Sequence, residues 1–278
     1  MKFILSRKGF DGSTGRMASP IMEDGGLLSL PIPVTKKGEE GISYDELRFG
    51  ELNLDTIIDE LSKGRFNYEK AHLDPDLDEK RYTREKGWRP VFGQTNGAQT
   101  YLENRGVVKD EDCLFLFFGW FKDARYDETN ELRYVSGARN LHVLFGWLQV
   151  GDIHKVGVKQ PDKWLIYHPH IQNEGINEYR NNNTIYIASD KLKLFGEPIC
   201  GKDGGGTFPH FKPSLRLTAK GESMSHWCLP EWLIEGAWKC RDGHLPFLSG
   251  GRQQEFVFDV PKENKQKAID WFKGLFEG

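Results

Sequence analysis

The sequence predicts an α+β fold, with one domain over residues 1–278 and a mostly antiparallel, bent or barrel-like sheet flanked by a few helices. Two apolar runs carry this prediction, residues 113–121 and 141–150, because each is dominated by Phe, Leu and Trp and contains the tripeptide Phe-Gly-Trp. The polar stretch between them suits two neighbouring antiparallel strands joined by a long loop. Helical and extended patterns do not alternate, which disfavours a βαβ succession, and no change in composition marks a linker.

Local patterns predict the other elements in order. Apolar residues at helical spacing followed by a glycine predict helices over residues 53–63 and 98–104, and an amphipathic pattern predicts a last helix over 265–276. Short runs typical of strands occur at residues 2–5, 27–33, 164–167, 184–188, 215–218 and 255–260. The glycine inside each Phe-Gly-Trp strand predicts a bulge or a close backbone approach.

Composition narrows the class of protein. Thirteen per cent aromatic residues exclude a disordered chain. The net charge of -3 provides no global basic field, so any nucleic-acid binding must come from a local patch. No apolar run approaches the length of a membrane span, so no membrane partner is expected. The four cysteines form no C-x-x-C pair and no secretory pattern is present, so we expect reduced thiols in a cytoplasmic protein.

Two histidine-containing segments could hold a divalent metal. His72, Asp74 and Asp76 alternate along a segment that Pro75 biases towards extension, so their side chains could point the same way. The other interpretation of Asp74 and Asp76 is a loop in which they form Asx-turns or a helix cap. The second segment is 168–170, in which His168 and His170 flank a proline and could join the first group as metal ligands. A phosphate clamp and ordinary hydrogen bonding remain alternatives for these two histidines.

Charged residues also cluster at the ends of the first and last predicted strands. Arg7 and Lys8, followed by Asp11 and two glycines, suit a phosphate or another anion, although no P-loop pattern is present. Near the last strand, Arg252 could bind a phosphate and Gln254 is a further substrate-binding candidate. Glu255, with Gln253 two residues earlier, could orient a ribose hydroxyl or stabilise an oxocarbenium-like centre. A polar cluster at an edge strand explains these residues equally well. The motifs of serine hydrolases, zinc proteases, kinases and zinc deaminases do not occur.

An ordered set of motifs resembles a known family. The set comprises residues 6–11, 20–21, 24–25, 29–33, 72–77, 87–90, 92–94, 114–121 and 145–150. Together they resemble the third type of nucleotide-modification-associated domain, a family of bacterial and phage proteins linked by gene neighbourhood to modified DNA bases. The resemblance implies a role near nucleic-acid modification and supplies no settled reaction. The positions that match its motifs are Arg7, Lys8, Asp11, His72, Asp74, Asp76, Arg89 and Gln94.

Three functions follow as expectations. The first is an enzyme acting on a nucleotide or on a modified or unpaired nucleic-acid base. His72, Asp74 and Asp76 would lie at its reacting centre, Asp11 is a further catalytic candidate, and a divalent metal is a possible cofactor. The second is a non-enzymatic reader that holds a flipped base in an aromatic cage of a barrel-like sheet. The third uses NAD, because residues 254–258 resemble the catalytic-glutamate strand of DNA-targeting ADP-ribosyltransferases, with Glu255 as the glutamate. The histidine-bearing strand of those transferases has no counterpart in residues 2–8.

Overall fold

The computed structural model describes residues 1–109, 112–239 and 254–277. Within that part of the chain, strands outnumber helices, as predicted. The strands are β1 (Lys2–Arg7), β2 (Ser19–Ile21), β3 (Ile42–Ser43), β4 (Arg48–Phe49), β5 (Leu52–Asn53), β6 (Lys70–Ala71), β7 (Val91–Gln94), β8 (Cys113–Tyr126), β9 (Leu132–Tyr134), β10 (Leu141–Lys155), β11 (Thr184–Ala188), β12 (Lys193–Leu194), β13 (Glu197–Pro198), β14 (Gly205–Thr207) and β15 (Glu255–Asp259). The helices are α1 (Leu54–Ser62), α2 (Asn96–Asn104), α3 (Pro169–Gln172), α4 (Glu231–Glu235) and α5 (Lys265–Gly274).

The two Phe-Gly-Trp segments lie side by side at the centre of the main sheet. Its strand order is β15-β1-β8-β10-β11-β7, and β2 and β9 also pair with β8 while β14 pairs with β10. β8 and β10 are antiparallel, with Phe118 opposite Leu144, which confirms the predicted pairing. Two pairings are parallel, β1 with β8 and β2 with β8, so the sheet is mixed although most of its pairs are antiparallel.

The glycines of these two strands allow close approach, and one of them adjoins a bulge. The register shifts between Leu144 and Gly146. A Cβ on Gly146 would lie 2.5 Å from the Leu77 side chain, and a Cβ on Gly119 would lie 2.9 Å from the carbonyl oxygen of Lys8. Any larger residue at 119 would therefore displace Lys8, whose backbone N–H donates to the Phe118 carbonyl at 2.8 Å.

The main sheet is strongly bent but is not closed into a barrel. Its terminal strands β15 and β7 share no backbone pairing among the described residues, yet a side-chain hydrogen bond joins them: Gln94 Nε2 donates to Glu255 Oε1 at 2.7 Å. Phe92, Phe115, Phe117 and Tyr186 fill the interior with fully buried rings in edge and stacked contacts. The bend brings the ends of β1, β7 and β15 together, where the predicted polar residues lie.

Three of the predicted short strands take other forms. Residues 27–33 contribute only isolated bridges, at Leu27 and Pro33, because proline has no N–H for a continuous ladder. Lys163–Leu165 forms a 3-10 turn where a strand was expected. Residues 215–218 follow the 3-10 turn Pro213–Leu215 and form only isolated bridges, at Arg216 and Thr218. In the part of the chain that the structure describes, no helix is long and apolar enough to cross a membrane.

Candidate metal centre

Polar segments from several parts of the chain meet at one cavity of about 330 Å³. Its wall includes residues that follow β1 and β6, the end of β7, the start of α3 and the residue before β15. The sequence-predicted site residues that line it are Arg7, Lys8, Asp11, His72, Asp74, Gln94, His170 and Gln254. The N-terminal cations and the His72 segment, which are far apart in the sequence, therefore meet at one cavity, and Asp76 does not line it.

Backbone hydrogen bonds hold the His72 segment against its neighbours. The N–H of His72 donates to the Ile32 carbonyl at 2.8 Å, and the N–H of Asp74 donates to the His72 carbonyl at 2.9 Å. The peptide between Asp74 and Pro75 is cis. His72 and Asp74 are both buried residues, and both line the cavity.

The two oxygens of Asp74 have opposite surroundings. Oδ1 accepts from the backbone N–H of Gly93 at 2.7 Å and has His168 Nε2 at 3.5 Å. Oδ2 faces two imidazole nitrogens, His170 Nε2 at 3.6 Å and His72 Nε2 at 3.8 Å. Whether Asp74 Oδ2 faces N–H donors or nitrogen lone pairs therefore depends on which nitrogens of these two rings carry the protons.

The proton of His170 is on Nδ1. Asn183 Nδ2–H donates to the backbone carbonyl of His170 at 3.0 Å, which leaves Asn183 Oδ1 to accept from His170 Nδ1–H at 2.6 Å. Burial lowers the pKa of His170 to about 3, so the ring is neutral near pH 7. A neutral imidazole with its proton on Nδ1 presents a lone pair at Nε2, here towards Asp74.

His72 has the same tautomer for a similar reason. The hydroxyl of Tyr179 donates its proton to the carboxylate of Glu39. The hydroxyl oxygen is then the acceptor for His72 Nδ1–H at 3.2 Å, and His72 Nε2 is left with its lone pair. Such hydrogen bonds from the outer nitrogen are the usual way in which proteins orient a histidine that binds metal.

His168 has the opposite tautomer, and the reason is the helix that follows it. It does not lie in an extended segment, as the sequence suggested, but caps α3: its Nδ1 accepts the backbone N–H of His170 at 3.2 Å. The ring proton is therefore on Nε2, which has no hydrogen-bond partner within normal distance and points towards Asp74 Oδ1. His168 is thus a donor beside Asp74, and its geometry does not suit a ligand.

Three acceptor atoms consequently meet at one point: the Nε2 lone pairs of His72 and His170 and the Oδ2 atom of Asp74. One ligand atom from each of these buried residues lies within 4.8 Å of the others. A metal with bonds of ~2.1 Å holds neighbouring ligands ~3.0–3.4 Å apart. The two distances from Asp74 Oδ2, 3.6 Å to His170 and 3.8 Å to His72, are a few tenths of an ångström longer than that. Burial would raise the pKa of Asp74, but the neighbouring Nε2–H of His168 holds it well below its ordinary range, so the carboxylate is charged.

Glu255 forms a separate polar cluster under the cavity. Its Oε1 atom accepts from Gln94 at 2.7 Å, from Lys8 at 3.1 Å and from Ser6 at 3.2 Å. The Lys8 ammonium also lies 4.6 Å from the ring centre of Phe92. Glu255 is buried and is absent from the cavity wall, and its contacts hold Lys8 and Gln94 in position. Its role as the catalytic glutamate of an NAD-dependent reaction stays a prediction.

The remaining predicted site residues lie elsewhere or have local partners. Asp76 points away from His72 and receives hydrogen bonds from Arg84, Trp88 and Tyr167. Arg89 pairs with Asp190 at 3.2 Å and does not line this cavity. Arg252 lies outside the described residues.

Asp11 closes its own turn at the rim of the cavity. Its Oδ1 accepts from the N–H groups of Ser13 and Thr14 at 2.8 and 2.7 Å, an Asx-turn. Burial would raise the pKa of Asp11, but these hydrogen bonds and the nearby Arg7 lower it.

Sequence reasoning missed four residues that shape the centre: Glu39, Gly93, Tyr179 and Asn183. Gly93 carried a usable signal, since a glycine inside a short strand often marks close approach. A Cβ there would lie 2.5 Å from the His170 ring. The other three come from loops and a 3-10 turn with no recognisable motif.

Comparison with known proteins gives one match. The family described as nucleotide modification associated domain 3 matches residues 2–259, a range that includes β1 to β15 and every residue of the candidate centre. No curated protein and no solved structure matches the chain significantly. The family match covers most of the 278 residues and agrees with the motif resemblance, so this chain belongs to the nucleotide modification associated domain 3 family.

Proposed function

We propose that this chain is a metal-dependent enzyme that acts on a nucleotide, with His72, Asp74 and His170 as the metal ligands. The observation that carries the proposal is the convergence of His72 Nε2, His170 Nε2 and Asp74 Oδ2 on the cavity, while the Nδ1 atoms of both imidazoles contact Tyr179 and Asn183. Lone pairs and a carboxylate repel one another unless a cation lies among them. Family membership supports the nucleotide part of the proposal.

The ligand set indicates a catalytic role for the metal. Two imidazoles and one carboxylate are typical of catalytic zinc and of non-haem iron(II), and both leave positions open for substrate or water. The three residues line the cavity, so open positions would face it. A bound ion would polarise a substrate oxygen or activate water.

Other side chains orient the metal ligands or are placed to bind the substrate. Tyr179 and Asn183 orient the two imidazoles, and His168 holds Asp74 Oδ1 so that Oδ2 faces the metal. Arg7 lines the same cavity, and its guanidinium has no ion pair or hydrogen bond to any other described residue. A guanidinium placed there suits a substrate phosphate, which it can bind with two parallel hydrogen bonds.

Metal binding tests the proposal directly. Apo protein would be titrated calorimetrically with Zn²⁺, Mn²⁺ and, without oxygen, Fe²⁺, using His72→Ala and Asp74→Asn beside His210→Ala, an exposed histidine outside the centre. We expect one ion per chain in the wild type and in His210→Ala, and at least tenfold weaker binding in the other two variants. Equal binding in all four proteins, or none in the wild type, would refute the metal centre.

Turnover is read separately by mass spectrometry of nucleotides incubated with the loaded protein. Products should appear with wild type and His210→Ala and be absent with His72→Ala. The metal that supports turnover also decides between hydrolytic chemistry, expected with zinc, and oxidative chemistry, expected with iron. Products that form equally with His72→Ala would show that the reaction does not use this centre.

A further inference from the structure

A second and larger groove, of about 1140 Å³, adjoins the cavity of the metal centre. Thr14 and Thr35 line both spaces, so the two are adjacent. A smaller cavity joins them a second time, because its wall contains both Arg7 from the metal-centre cavity and Trp120 from the groove. We call this space the basic groove and define it by its charged and aromatic lining residues: Arg16, Lys63, Arg65, Phe66, Tyr68, Trp120, Lys122, Asp127, Arg133 and Tyr134.

The basic groove is positive although the whole chain is negative. Five cationic side chains line it against one carboxylate, Asp127, whereas the chain as a whole has a net charge of -3. Asp127 and Glu131 both pair with one of these cations, Arg133. The other four cations form no ion pair with any described residue, so they are available to phosphates.

Aromatic rings are interleaved with these cations. Tyr68 is 45% exposed, and its ring centre is 5.2 Å from that of Phe66. Trp120 is held by a hydrogen bond from its indole N–H to Asn140 at 2.9 Å, and the ammonium of Lys122 lies 5.5 Å from the ring centre of Tyr134. Rings between cations are typical of surfaces on which unpaired bases stack.

We infer that the basic groove binds a single strand of nucleic acid, which continues into the cavity of the metal centre. The inference rests on the proposed function for the chemistry and adds its substrate class: a nucleotide within a polynucleotide rather than a free nucleotide. Duplex DNA does not fit this arrangement as well, because its bases are already stacked on each other and would leave the rings unused.

Binding of a fluorescein-labelled strand of about 15 nucleotides of mixed sequence, as DNA and as RNA, tests the inference by anisotropy over a series of NaCl concentrations. The double variant Arg65→Gln/Lys122→Gln is compared with Lys159→Gln/Lys267→Gln, which removes the same charge from exposed positions outside the groove. Loss of two phosphate contacts should reduce the slope of log K against log salt by about 1.4. The control pair should keep the wild-type slope.

A second pair of variants separates stacking from charge. Tyr68→Ala should weaken single-strand binding by about fivefold or more, because each stacked base contributes that much. Tyr126→Ala removes a ring of similar exposure, 39%, outside the groove and should bind as the wild type does. Comparing the affinities for the DNA strand and the RNA strand shows which of the two the groove prefers.

All of these measurements are made in EDTA, so they do not depend on the metal. Strand binding that responds to the groove variants supports the inference even if the protein fails to bind metal. Equal affinities and slopes for groove and control variants, or a duplex bound as tightly as the single strand, would overturn the inference. If metal binds but no strand does, the proposed function stands with free nucleotides and the inference is wrong.

Discussion

Asp74 and Asp76 are two residues apart and both buried, yet their surroundings are opposite. Asp76 is surrounded by donors: the guanidinium of Arg84, the indole N–H of Trp88 at 3.2 Å and the hydroxyl of Tyr167. Asp74 Oδ2 faces the lone pairs of two imidazoles. A carboxylate enclosed by donors stabilises the fold, whereas one that faces acceptors is suited to a cation. Burial and residue type alone do not separate the two; the positions of the hydrogens do.

The largest expected effect is on stability, at Asp76. Asp76→Asn leaves the buried guanidinium of Arg84 without a negative partner, which should lower the free energy of unfolding by about 3–5 kcal/mol. Asp74→Asn, measured in EDTA, should change it by less than about 1 kcal/mol, because the amide keeps an acceptor for Gly93 and turns an N–H towards the imidazole lone pairs. Urea unfolding followed by tryptophan fluorescence measures both. Equal losses in the two variants would contradict the distinction between the two carboxylates.

The next effect is stabilisation by metal. Adding Zn²⁺ at about 100 times its dissociation constant should raise the free energy of unfolding of the wild type by about 2.7 kcal/mol. At the same Zn²⁺ concentration Asp74→Asn should gain about 1.4 kcal/mol or less, because without the carboxylate ligand it binds at least tenfold more weakly. Unfolding in EDTA supplies the baseline for each protein. If Asp74→Asn gains as much as the wild type, the ion binds at another place.

The sequence predicted the central sheet well because its signal is local. The two Phe-Gly-Trp strands, the first and last strands, helix α1 and helix α5 each have a pattern that their own residues determine. The predicted strand at 164–167 failed because a strand exists only where a partner strand pairs with it, and here the backbone forms a 3-10 turn and then α3 instead.

The candidate centre was predicted only in part, again for a physical reason. Residue type and spacing pointed to His72, Asp74 and His170 as metal ligands, but they could not separate these from Asp76 and His168. That separation depends on hydrogen bonds to residues distant in sequence. Asn183 and Tyr179, which orient the imidazoles, contact residues 13 and 107 positions away.

Gly93 offers a finer test of the centre through packing. In Gly93→Ala the new methyl group would lie 2.5 Å from the His170 ring, so the imidazole must move and metal affinity should fall about tenfold or more. Gly97→Ala is the matched control, since a Cβ there meets no atom within 4 Å and the residue lies in α2. It should keep wild-type affinity and gain up to about 1 kcal/mol of stability. Zinc titration of both variants decides: equal affinities would show that His170 tolerates displacement or is not a ligand.

The smallest expected effect is on the pH dependence of the free energy of unfolding. It involves His142, which lies outside both carboxylate clusters. Burial, together with the charge of Arg7, lowers the pKa of His142 to about 4, and its Nδ1 accepts from the indole N–H of Trp227 at 3.0 Å. The unfolded chain, with a histidine pKa of ~6.5, binds this proton first, so its contribution to stability is complete above pH ~6.5 and is lost as pH falls towards 4.

His142→Asn keeps the acceptor for Trp227 and removes the titration. The difference in unfolding free energy between wild type and variant, measured in EDTA, should therefore shift against the wild type by about 1 kcal/mol per unit between pH 6 and pH 5. Subtracting this shift leaves the acid sensitivity of the other groups, which include buried His170. A difference that stays constant with pH would mean that His142 is already protonated, or already freely hydrated, in the folded protein.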